Sequence, residues 1–203
     1  MIKLITYLSA LYLSDISAVY QSFRFRDKNN LLISFLLAWT SIRFIADGLS
    51  FILKFLLNLN IFPVFHISVL IEGILITFFY SRLNKKGKSI GWISILPVIF
   101  FFLDALFWSS IIESNGISFM LYNLLTVILM LMLLLNLNKI ENTFRPIIKA
   151  LFVFHSVSFI YSILEHLIRI NDDMMQIAYP IFLLSIVSLN LYIFYYLWSI
   201  RKS

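Results

Sequence analysis

A set of ionisable side chains stands inside apolar stretches: Asp15, Arg43, Asp47, His66, Glu72, Asp104, His155, Glu165 and His166. Their spacing limits what they can do. Arg43 and Asp47 are one helical turn apart and can neutralise each other on one face, with Trp39 a turn before them on the same stripe. Arg43 also carries more donors than one carboxylate can take, so it can reach an anionic group in a cavity. Glu72 and Asp104 are the acids a proton-coupled carrier would titrate. Glu72-Gly73 and Asp47-Gly48 loosely suit the broken helices of such carriers, and Pro97 suits a kink. On the sixth apolar stretch His155, Ser158, Ser162, Glu165 or His166, and Arg169 recur at helical spacing. Ser185, Ser188, Tyr192 and Tyr195 answer on the seventh, a pattern that glues helices together.

Several chemistries fail on these residues. A retinal Schiff base needs a lysine in the last stretch, and 177–199 has none. A shared metal cannot join His155 to His166, which lie about 16 Å apart along a helix at ~1.5 Å per residue. Zinc for a metal-dependent hydrolase would have to use His66 and His166 with Glu165 or Asp104, and no HExxH is present. A bis-histidine haem would need the same two histidines, both near the surface. The chain has no cysteine, which removes disulfides, thiolate metal sites and cysteine nucleophiles. The residues imply no catalytic set, no metal site and no cofactor.

The elements that position these groups must be membrane spans. Of 203 residues 61% are hydrophobic and 13% charged, with mean hydropathy +0.94. That leaves too little polar surface for a soluble domain. A span takes roughly 20 apolar residues. Seven fit, near 2–20, 31–57, 61–80, 90–110, 117–136, 147–169 and 177–199, with the first read as a retained helix. The connectors carry turn chemistry, as at Asn29-Asn30, Asn58 to Pro63, Lys86-Gly87, Ser114-Asn115-Gly116 and Asn171-Asp172-Asp173, and Pro146 opens span six. The expected architecture is all-α: a polytopic, seven-transmembrane-helix bundle forming one domain over 1–203.

Lys and Arg set the orientation. Arg24, Arg26, Lys28, Arg82, Lys85, Lys86, Lys88, Lys139, Arg145, Lys149, Arg201 and Lys202 fall on one side, against Lys3, Lys54 and Arg169 on the other. Twelve against three in short loops places the N-terminus outside and the C-terminus inside. The net charge of +6 is therefore topology and not a nucleic-acid surface. Trp92, Trp108 and Trp198 fall at span ends as interfacial anchors.

A charge at mid-bilayer costs at least ~2.5–3.5 kcal/mol on insertion scales, so these groups face the bundle interior. Counted by depth, most lie between mid-membrane and the outer face, with Asp15 alone towards the cytoplasm. The expected ligand-binding set is Arg43, Asp47, Glu72, Asp104, Glu165 and His166, lining one polar cavity open to the outside. The function this suggests is a small sensory or accessory protein of the inner (plasma) membrane. Its partners are the lipid bilayer and, at the cytoplasmic basic loops, a membrane protein or anionic lipid. The alternatives are a secondary transporter or channel that uses the intramembrane carboxylates and, next, an intramembrane metal-dependent hydrolase.

The spacing His66-(x)5-Glu72-(x)6-Phe79-Tyr80, Pro146 at the start of span six and the basic, aromatic end of span seven resemble a group of uncharacterised small seven-helix bacterial membrane proteins. The span-five carboxylate of that pattern is replaced here by Tyr122-Asn123. The resemblance implies fold and membrane location, and no activity.

Overall fold

The computed structural model describes residues 13–21, 31–83, 93, 95–108, 116–136, 142–166 and 172–200. The connector residues Arg24, Arg26, Lys28, Lys85, Lys86, Lys88, Lys139 and Arg169, the terminal Lys3, Arg201 and Lys202, and Trp92 lie outside them, as do the side chains of Trp108 and His166.

All described elements are helical, and there are seven: α1 (13–21), α2 (Leu31–Phe51), α3 (Phe62–Leu83), α4 (Leu96–Leu103), α5 (Gly116–Leu135), α6 (Arg145–His166) and α7 (Asp172–Ile200). α2 and α4 each run on into a π-helical turn, Ile52–Leu56 and Asp104–Trp108. Among the described residues five helices are long and apolar enough to cross a membrane, namely those over Leu31–Lys54, Phe62–Leu83, Ile117–Leu135, Arg145–Glu165 and Ile177–Ser199. The chain is a multi-pass helical membrane protein.

Local chemistry explains the breaks. Asn58 holds a positive φ of 50°, a conformation that Asn tolerates better than most residues. Asn60 then offers Oδ1 to the Phe62 N–H at 2.8 Å, satisfying one of the donors that a helix N-terminus leaves unpaired. Pro63 follows in the first turn, where its missing N–H is harmless. Pro97 stands in the same place in α4. It starts that helix and does not kink it, contrary to the expectation from sequence.

Glu72-Gly73 and Asp47-Gly48 also depart from expectation, because α3 and α2 run unbroken through both pairs. Gly73 serves packing. A Cβ built there would lie 2.7 Å from Pro97 Cβ and 3.5 Å from Tyr122 Cδ2, so the glycine is what lets α4 approach α3.

Cross-helix contacts give the directions. Phe35 stacks on Phe79 and Trp39 reaches Glu72, so α2 and α3 are antiparallel. Glu72 meets Tyr122 and Tyr80 meets Met132, so α3 and α5 are parallel. Tyr161 stacks on Phe182 and Tyr196 bonds to the Thr143 carbonyl, so α6 and α7 are antiparallel.

The bundle is inside-out relative to a soluble protein. Large apolar side chains such as Leu56, Leu106, Leu135, Val153 and Leu184 are exposed, whereas Asp15, His66, Asp104, Asn123, His155 and Asn190 are buried. Lipid is the solvent that makes this arrangement favourable. The interior has two halves. At the end holding the α5–α6 connection it is dry, filled by Leu32, Leu36, Phe79, Met130, Ile148 and Ile193, all at most 2% exposed. Phe79 there touches Phe144 as well as Phe35. At the end holding the α2–α3 and α6–α7 connections it is polar.

The serine stripes do not join helices. Ser158 and Ser162 donate to the carbonyls of Phe154 and Ser158, one turn back, and Ser185 donates to Phe182. A hydroxyl can satisfy itself on its own helix in this way. Tyr195 is exposed. Besides Tyr196, a cross-helix bond on α7 comes from Asn190, whose amide nitrogen donates to Ser14 Oγ and Asp15 Oδ1 on α1.

Candidate functional site

The polar half encloses a cavity of about 410 Å³. Four of the six residues expected at a ligand site line it: Arg43 and Asp47 from α2, Glu72 from α3 and Glu165 from α6. Ile61, Phe62, Glu165 and Tyr179 line it towards the helix ends at the α2–α3 and α6–α7 connections, and Tyr122, Asn123, Phe154 and His155 line it farther along the helices.

The Arg43 guanidinium packs on two rings, with its carbon 5.0 Å from the centroid of Trp39 and 5.0 Å from that of Phe154. Such stacking suits a planar, weakly hydrated cation. The helical spacing alone suggests Asp47 as its partner. Among the surrounding carboxylates, however, Glu72 acts most strongly on Arg43, followed by Asp15 and then Asp47. Glu72 is held in place by two donors on its Oε2, Trp39 Nε1 at 3.1 Å and the Tyr122 hydroxyl at 3.1 Å. Trp39 is fully buried, so it orients the carboxylate from beneath and supports the guanidinium with the same ring.

Asp15 is closer to this group than depth counting suggests. Its carboxyl accepts from the Asn190 amide and lies close enough to Arg43 and Asp47 to act on both. Counting residues from the ends of an apolar stretch gives no measure of tilt or vertical offset, and that is where the expectation failed.

Asp104 is placed elsewhere. It is buried and accepts the Ser118 backbone N–H at 3.1 Å, near the start of α5. A carboxylate there satisfies an orphan donor and complements the positive end of the helix. Asp104 is not among the residues lining the cavity. His66 is buried against the ring of Phe101 and is also absent from the wall. No group of three or more His, Asp or Glu arranged to hold a metal ion occurs among the described residues.

His155 and Asn123 belong to the site, although neither is in the expected ligand set. His155 Nδ1 and Asn123 Oδ1 are 2.8 Å apart on α6 and α5. The signal available in the sequence was Tyr122-Asn123, the polar pair in span five, read only as a departure from a pattern.

A second, apolar groove of about 370 Å³ lies between α6 and α7, lined by residues such as Ile160, Leu164, Ile177 and Ile181. It shares Tyr161 and Phe182 with the polar cavity, and these two rings stack at 4.5 Å to form the partition.

Comparison with protein-family models, with curated protein sequences and with solved structures finds no match for this chain.

Proposed function

We propose that the protein is a small sensory or accessory membrane protein that binds a small molecule in a cavity open to the outer side. The observation that carries this reading is the convergence of Arg43, Asp47, Glu72 and Glu165, from three helices, on one cavity. A volume of about 410 Å³ is within the range of small-molecule sites. The dry, aromatic half beneath Trp39 gives the cavity a floor, which favours binding over conduction. The reading includes seven spans in a bacterial inner membrane, N-terminus out and C-terminus in, and rests for this on the twelve-to-three bias of Lys and Arg. In that orientation the cavity mouth faces outward, and the cytoplasmic basic loops meet a membrane partner or anionic lipid.

One observation favours a secondary transporter instead. Asp15, Asp47 and Glu72 all act on one guanidinium, and the first two act on each other. Such a cluster is suited to exchanging a proton or cation. Reconstituted vesicles with a trapped pH-sensitive dye separate the two readings. A binding protein leaves an imposed pH gradient decaying as in empty vesicles. Protein-dependent decay that disappears in Asp47→Asn would replace the sensory reading with the transporter.

A further inference from the structure

Asn123 decides where the proton on His155 sits. Its Nδ2 donates to the Phe119 carbonyl at 2.8 Å, so Oδ1 is the atom that meets His155 Nδ1. An amide oxygen only accepts, which puts the proton on Nδ1 and leaves Nε2 a bare lone pair. His155 is fully buried, forms part of the cavity wall, and its Nε2 has no hydrogen-bond partner among the described residues. A buried acceptor in this state gains from any donor brought to it.

The charges of the wall point the same way. Among the described lining residues Asp47, Glu72 and Glu165 are carboxylates and Arg43 is the one Lys or Arg. Its charge already faces Glu72, Asp15 and Asp47, and it packs on the rings of Trp39 and Phe154. A carboxylate ligand would therefore meet three like charges and an engaged guanidinium. A cation would meet acceptors. Phe62, Phe65, Tyr161, Tyr179 and Phe182 complete the wall, and their ring faces attract a cation and cover an apolar body.

Resting on the ligand-cavity reading above, we propose that the cavity takes a protonated amine with a small apolar body, its N–H groups directed to His155 Nε2 and to the carboxylates of Asp47 and Glu165. Glu72 serves a different purpose: it holds Arg43, with one oxygen fixed by Trp39 and Tyr122.

Three probes of similar shape test this: phenethylamine, phenethyl alcohol and phenylacetate, each titrated into the full-length protein in lipid nanodiscs while thermal unfolding is followed. A ligand that binds only the folded state raises the unfolding temperature by mass action. The amine is expected to do so saturably, and the alcohol and the acid are not. His155→Phe, which removes the acceptor and keeps a ring, and Glu165→Gln should each weaken the amine by about tenfold, the equivalent of one hydrogen bond to a charged group. If His155→Phe does not fold, Glu165→Gln carries the test alone. Equal stabilisation by phenylacetate or phenethyl alcohol overturns the amine assignment and leaves the cavity reading standing. Amine binding unchanged in the variants also overturns it. Stabilisation by none of the three probes removes both.

Discussion

Replacing Arg43 by Leu is expected to destabilise the folded protein by about 3 kcal/mol, the low end for taking the counter-charge from buried carboxylates. The low end applies because Arg43 is half-buried, facing the cavity. The loss comes from leaving three neighbouring carboxylates without their cation, together with two ring contacts. Unfolding in mixed micelles measures it. The order of the partners is also testable. Glu72 acts on Arg43 more strongly than Asp47 does, so Arg43→Leu combined with Glu72→Gln should recover more stability than Arg43→Leu combined with Asp47→Asn. The reverse order would restore the pairing along α2 suggested by the four-residue spacing.

Gly73→Val is expected to cost about as much, for a steric reason. Replacing a helical glycine normally gains up to ~1 kcal/mol of helix propensity, and less for a β-branched residue. Here the first added carbon would sit 2.7 Å from Pro97 Cβ and 3.0 Å from its Cγ. These ring atoms in the first turn of α4 cannot rotate away, and overpacking of this kind costs typically 1–3 kcal/mol. Two further methyl groups place Val at the upper end, so the steric loss wins. Gly73→Ala should fall between the two effects, and adding Pro97→Gly, which removes the opposing Cβ, should relieve most of the strain. Thermal unfolding of the three variants reads this directly. A Gly73→Val protein as stable as the wild type would mean that α3 and α4 do not meet there.

The sequence carried the apolar stretches well, because roughly 20 consecutive apolar residues have few readings other than a span. α3, α5 and α6 begin and end within a few residues of the stretches read from hydropathy. α4 was less legible. Its regular helix covers Leu96–Leu103 before the π-helical turn, and hydropathy cannot distinguish a π turn from a continuing α-helix. Arg43, Asp47, Glu72 and Glu165 could be picked out because each is too expensive to leave in lipid. The same criterion selected Asp104, yet a buried carboxylate can equally serve a helix N-terminus, and only the neighbouring Ser118 N–H tells the two uses apart. His155 was visible as a polar residue, but its place in the site depends on Asn123 from another helix. Pairings of that kind are set by packing, which a single sequence does not display.

The proposed cavity is one-sided, open outward and closed beneath. The chain contains no cysteine, so a single introduced thiol reports on its own position. Ala46 lines the cavity, and Thr126 is buried outside it, one turn along α5 from Asn123 towards the dry half. With a membrane-impermeant maleimide, Ala46→Cys is predicted to be labelled in intact cells and not from the cytoplasmic side of inverted vesicles, while Thr126→Cys is labelled from neither. Labelling of Ala46→Cys from the cytoplasmic side, or of Thr126→Cys from both sides, would contradict the account.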